Sequence, residues 1–154
     1  MESDLSLLLA LLHDEEAEAE RRAAAAKVLG RWYALPWVWA LWGEAIGSDL
    51  AGLLRHEEAV VRLAALAALE EIGTSDAPGW PQGPCPEHSR AHLDAVGSLL
   101  EDEAAEVRVA AVGALAELDA EGVWADSLAE VLADRDLRVR VAAGAALKRP
   151  QYVD

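Results

Sequence analysis

The chain has 154 residues, about one domain's worth, with 28 acidic and 13 basic side chains and a formal net charge of −15. Hydrophobic residues make up 53%, with six Trp, no Phe and one Cys, which argues against intrinsic disorder and excludes a disulfide scaffold within the chain. The charge argues against a duplex-binding surface, because phosphate contacts need clustered Lys and Arg.

The opening residues Met1-Glu2-Ser3-Asp4 are acidic, so the apolar run Leu5 to Leu12 lacks the basic flank of a secretory signal. The most apolar stretch, Tyr33 to Gly43, is too short to span a bilayer, which takes about 20 residues. The expectation is a cytoplasmic protein without membrane contact. Abundant Ala and Gly, with Arg outnumbering Lys, fit a GC-rich bacterial genome. Ala makes up roughly a fifth of the chain and favours helix.

Self-similarity is the strongest signal along the chain. Leu53-Leu54-Arg55-His56 through Arg62 to Leu69 aligns without gaps to Leu99-Leu100-Glu101-Asp102 through Arg108 to Leu115. Val131-Leu132-Ala133-Asp134 through Arg140 to Leu147 is the next copy. A degenerate copy opens the chain, from Leu11-Leu12-His13-Asp14 to Arg22 and Leu29, with two extra residues before its Arg. Each unit reads as helix, short turn, helix. In the second helix, apolar residues recur at helical spacing: Val61, Ala65, Ala68, Ile72, then Val107, Ala111, Ala114, Leu118, then Val139, Ala143, Ala146. Gly73 stands where a helix C-cap belongs, and Asp119 stands where it can accept the first amide protons of the next helix. A single hairpin leaves one face bare, so neighbours must stack to make one core.

The Leu-Leu pair, the turn Asp, Val-Arg, the Ala-rich run and the closing Leu resemble the HEAT family, in particular the short bacterial HEAT-like repeats of the phycobilin-lyase type. The resemblance implies an all-α fold, a right-handed α-solenoid of about four hairpins. Residues 1–154 then form one domain, with units at about 3–33, 48–73, 87–118 and 120–148. It also implies a ladder in which turn Asp and following Arg link neighbouring units. Arg108 and Arg140 are expected to pair with turn acids. Arg62 follows His56 instead of an Asp and needs a different partner.

The Arg anchors at 22, 62, 108 and 140 lie 40, 46 and 32 residues apart. The last spacing is close to a minimal hairpin repeat, so the first two hold insertions, at about 34–47 and 74–86. Insertions on a repeat scaffold often carry binding. The first holds Trp37, Trp39 and Trp42, beside Trp32 and Tyr33. Pro36 suits a helix start, so a short extra helix is predicted over Trp37 to Ile46, ended by Gly47, with Ser48 capping the next. These aromatics either fill gaps left by Ala-rich helices or line a pocket. The second insertion, Thr74 to Pro86, is rich in Pro and Gly and cannot be a helix interior. It reads as a surface loop or a flap, with Trp80 pinning it.

Chemistry-bearing motifs are sparse. His88 and His92 share a helix face at ligand spacing, but no further ligand motif accompanies them, so no metal is expected. Cys85 lies between prolines with no base in view. No phosphate loop or nucleophile elbow occurs, so neither cofactor nor catalytic residues are expected. Acidic runs recur at the turns, as at Glu57-Glu58 and Glu101-Asp102-Glu103, either as solvated ends or as one ridge that attracts a basic partner. The expected function is a non-catalytic module binding a protein partner, without nucleic acid. The alternative is a small-molecule site or small enzyme between the two insertions, taking a cationic or apolar ligand. The candidate surface is Trp32, Tyr33, Trp37, Trp39, Trp42, His56 and Trp80.

Overall fold

The computed structural model describes residues 2–33, 35–73 and 86–153. These residues are helical, with no strand among them. In chain order they form α1 (Glu2–His13), α2 (Ala19–Tyr33), α3 (Pro36–Leu53), α4 (Ala59–Gly73), α5 (Pro86–Gly97), α6 (Ala105–Leu118), α7 (Ala125–Val131) and α8 (Leu137–Ala146). Single 3-10 turns follow α5 at Ser98–Glu101 and α8 at Pro150–Tyr152.

Consecutive helices pack as hairpins, α1 with α2, α3 with α4, α5 with α6, and α7 with α8. The second helices also pack in order, α2 on α4, α4 on α6, and α6 on α8. The stripe expected from periodicity faces inward: Val61, Ala65, Ala68, Val107, Ala111, Ala114, Val139, Ala143 and Ala146 are buried, and Ile72 and Leu118 at its ends are half-buried against the core. Both helices of the hairpins supply large side chains to the same core, Leu5, Val38, Ile46, Leu50, Val96 and Leu128 from the first helices and Leu29, Val61, Leu66, Val107 and Leu115 from the second. Small residues on the second helices let their backbones approach closely. At Gly30 of α2 a methyl group would lie 2.8 Å from the Ala68 Cα of α4.

The helix break expected at Gly47 and Ser48 is absent. Pro36 opens α3 as expected, but the helix then runs unbroken to Leu53. The extra residues lengthen the first helix of the second hairpin and add no separate element. Gly47 is buried, and a Cβ there would stand 2.9 Å from the His92 Cε1 of α5. It is a contact glycine in a helix interior. The second insertion lies outside the described residues, with Trp80 and Cys85, except for Pro86, which begins α5.

Asp119 accepts amide protons as expected, but from the turn leading into α7 and not from the helix's own first turn, which has no side-chain cap. Its carboxylate accepts from the Val123 and Trp124 amides at 3.0 and 2.9 Å, and from the Tyr152 hydroxyl at 2.9 Å. Burial, reinforced by this bond to Asp119, pushes the Tyr152 phenol well above its usual range. The final 3-10 turn is thereby fastened over the end of α6, where Gln151 Nε2 also donates to the Ala116 carbonyl at 2.8 Å.

Candidate functional site

The four hairpin turns share one bonding pattern. In each, the residue at the start of the turn accepts a hydrogen bond on its side chain from the amide two residues on. Asp14 accepts from Glu16 at 3.0 Å, His56 Nδ1 from Glu58 at 3.0 Å, Asp102 from Ala104 at 2.9 Å, and Asp134 from Asp136 at 2.8 Å. In each, the anchor Arg of the following helix donates to that residue's carbonyl. The pairs are Arg22 to Asp14, Arg62 to His56, Arg108 to Asp102 and Arg140 to Asp134.

The same guanidinium then reaches the turn of the next hairpin. Arg62 donates through Nη2 to the Asp102 carboxylate at 2.9 Å, and its Nε stands 2.9 Å from the other oxygen as an ion pair without a hydrogen bond. Arg108 takes Asp134 through two bonds of 2.9 and 3.0 Å, and Arg22 contacts His56 Nε2. This corrects the expected pairing. The acid comes from the following unit, so Arg62 has an ordinary carboxylate partner and it is Arg22 that meets the histidine. Arg140 has no carboxylate partner among the described residues. The bond from Arg108, joined by the Asp136 amide, holds the Asp134 carboxyl below the usual carboxylate range.

The predicted aromatic residues lie on α2 and α3. Trp32, Trp37 and Trp42 are half-buried and packed against the core, and Tyr33 is buried. The Trp39 side chain and all of Trp80 lie outside what is described. His56 sits in a turn as part of the ladder, apart from these aromatics in role.

A groove of about 670 Å³ opens elsewhere, between α5 with its 3-10 turn and α7. Trp124 lines it, with Leu100 and Val131 as further apolar wall. The polar lining includes Asp94, Ser98, Glu101, Ser127 and Glu130. The carboxylates of Asp94, Glu101 and Glu130 make no ion pair among the described residues. Asp134, by contrast, is already held by Arg108. Trp124 is placed by two local devices. Asp119 binds its amide, and Gly97 leaves room for the ring, since a Cβ there would fall 2.0 Å from Trp124 Cη2. Three carboxylates around an indole suit a cation, which gains from both the charge and the ring face. Among the described residues, no group of His, Cys, Asp or Glu is arranged to hold a metal, and no helix is long and apolar enough to cross a membrane.

Trp124 is absent from the sequence-derived surface because that surface follows the insertions. Its one signal is local: it is the Trp remote from both of them, just before a first helix.

No family model matches the chain, and no curated protein matches it. Among solved structures, it is similar to an engineered protein crystallised by the Northeast Structural Genomics Consortium, with a TM-score of 0.65 and 23% identity. The alignment covers 94% of this chain and 61% of that one. At this identity the likeness speaks to the fold alone.

Proposed function

We propose that the chain is a non-catalytic, cytoplasmic repeat module, a right-handed α-solenoid of HEAT-like units, that binds a basic segment of a protein partner beside Trp124. The observation that carries this reading is the groove between α5 and α7, which combines an indole wall with the carboxylates of Asp94, Glu101 and Glu130. A Lys or Arg side chain would set its charge among the acids and its stem along Trp124, Leu100 and Val131. The order of second helices, α2 to α4 to α6 to α8, supports a solenoid. The shared turn pattern supports HEAT-like units. The net charge of −15 favours a basic partner over nucleic acid.

The test is a titration with a lysine-rich peptide, an uncharged peptide of equal length and a choline salt, read by calorimetry. The lysine-rich peptide is expected to bind, and the paired change Glu101→Lys, Glu130→Lys to weaken it by about tenfold or more. A control pair, Glu15→Lys and Glu16→Lys, alters the net charge equally on a distant turn and should leave binding within about twofold at physiological salt. Equal losses in both pairs would reduce the effect to general acidity and overturn the assignment. Binding of choline alone would favour a small-ligand site.

A further inference from the structure

We infer that the Tyr152 hydroxyl, acting through Asp119, sets the position of Trp124 and thereby how tightly the groove between α5 and α7 holds a cationic side chain. Neither Asp119 nor Tyr152 lines that groove. They are positioning residues for it, on the reading that a basic segment binds beside Trp124.

The indole is held at two points. At its outer edge, a Cβ on Gly97 would fall 2.0, 2.3 and 2.5 Å from Trp124 Cη2, Cζ3 and Cζ2, so the ring rests on the backbone of α5. At its base, the Trp124 amide donates to Asp119 Oδ2 at 2.9 Å, and the Val123 amide donates to Oδ1 at 3.0 Å. The Trp124 carbonyl then accepts the Leu128 amide at 2.9 Å and opens α7. α7 has seven residues, too few for a helix that holds itself. The turn that Asp119 fixes therefore also places Ser127 and Glu130, which line the groove from α7.

Asp119 is 1% exposed, and its third donor is the Tyr152 hydroxyl, 2.9 Å from Oδ2. The hydroxyl also lies 3.2 Å from the Leu115 carbonyl, but the nearer, charged acceptor takes the larger share of its one proton. Burial and the bond to Asp119 keep the phenol protonated, and so a donor. The 3-10 turn carrying Tyr152 is fastened along the end of α6 at two more points, Arg149 to Glu117 and Gln151 Nε2 to the Ala116 carbonyl. It also meets the turn before α7 directly. Gly122 has a φ of +74°, and a Cβ there would fall 2.2 Å from the Gln151 carbonyl oxygen. The two turns thus touch backbone to backbone. Without the hydroxyl, a buried carboxylate is short of one donor. The oxygen left short is Oδ2, the one that holds the Trp124 amide, so any movement of Asp119 to recover a partner carries Trp124 with it.

Fluorine NMR of the full chain labelled with 5-fluorotryptophan, combined with titration of the lysine-rich peptide, tests this link. Trp124→Phe identifies the Trp124 line among those of the six Trp. Tyr152→Phe keeps the ring and removes only the hydroxyl. In that variant the Trp124 line should shift or broaden while those of Trp32, Trp37 and Trp42 keep their places, and the peptide should bind about threefold or more weakly. Gly122→Ala, which keeps the hydroxyl but drives the two turns apart, should move the same line. Leu69→Ala, a core change in α4, should lower stability and leave both the Trp124 line and the affinity as in the native chain. A Trp124 line unmoved by Tyr152→Phe, an affinity unchanged beside a shifted line, or a Leu69→Ala variant that reproduces both effects would each overturn the inference. A native chain that leaves the peptide unbound defeats the proposed partner alone. The fluorine line then decides the link to Trp124, upheld by a shift and overturned by an unmoved line.

Discussion

His56 stands where the two later turns hold Asp102 and Asp134, and an imidazole cannot replace both acceptor oxygens of a carboxylate. Its Nδ1 faces the Glu58 amide at 3.0 Å, and its Nε2 faces an Arg22 guanidinium nitrogen. Both neighbours are donors, whereas a neutral ring offers one acceptor and one N–H. One contact therefore always sets donor against donor. Arg22 is buried, so this mismatch is not relieved by solvent. His56→Asp should stabilise the fold by about 1–3 kcal/mol, the scale of a hydrogen bond to a charged group, as read by urea melts. A destabilised variant would mean that ring packing outweighs the missing acceptor. The next link carries the opposite expectation. Arg108 and Asp134 are 5% and 12% exposed, so Arg108→Ala strands a largely buried carboxylate and should cost about 3 kcal/mol. An exposed pair of the same residues would be worth only about 0–1 kcal/mol. Burial, which follows from the stacking of hairpins, changes that estimate. The pH dependence follows from the same bond. Asp134 has a depressed folded-state pKa, so its contribution is complete above the ordinary carboxylate value and fades as pH falls through the folded one. Asp136, held down to about 2 by the Arg138 side chain and amide, acts in the same direction. Acid unfolding monitored by circular dichroism should therefore begin at higher pH in Asp134→Asn than in the native chain.

At the scale of elements, the second helices were legible because each keeps an apolar stripe at helical spacing through its whole length. The first helices were less so. Gly47-Ser48 has the local chemistry of a helix stop and a new cap, yet α3 continues through both. The reason for the glycine is His92, a contact from a helix further along the chain that local pattern cannot reveal. Gly30 is a second case. In an isolated helix Gly30→Ala would gain about 1 kcal/mol of propensity. Here the new methyl would meet the Ala68 backbone at 2.8 Å, and α2 and α4 would have to part along their shared face. Overpacking of this kind costs about 1–3 kcal/mol, so a net loss is expected in urea melts; a net gain would show that the helices separate easily. Leu69→Ala and Leu115→Ala, both deeply buried, should each cost about 2–5 kcal/mol. The groove at Trp124 was illegible for the same reason as α3. It requires Gly97 on α5 and Trp124 before α7 to meet across two hairpins, while each alone is an ordinary residue near a helix end.

At the scale of the whole molecule, contacts run mainly between neighbouring hairpins, and this sets where the structure opens first. α4 packs on α2 and α6, and α6 on α4 and α8, so each is covered on two sides by second helices. α8 has such a neighbour on one side only, spans just Leu137–Ala146, and leaves Leu137 and Val141 exposed. A stack of hairpins held mainly by neighbour contacts frays from its ends, because a hairpin with one neighbour loses one interface when it opens and a hairpin with two loses two. Hydrogen exchange at low protein concentration should therefore show α4 and α6 exchanging through global unfolding, and α1 and α8 through smaller openings. Arg108→Ala should accelerate exchange in α7 and α8 more than in α2, since the lost pair ties the last hairpin to its neighbour.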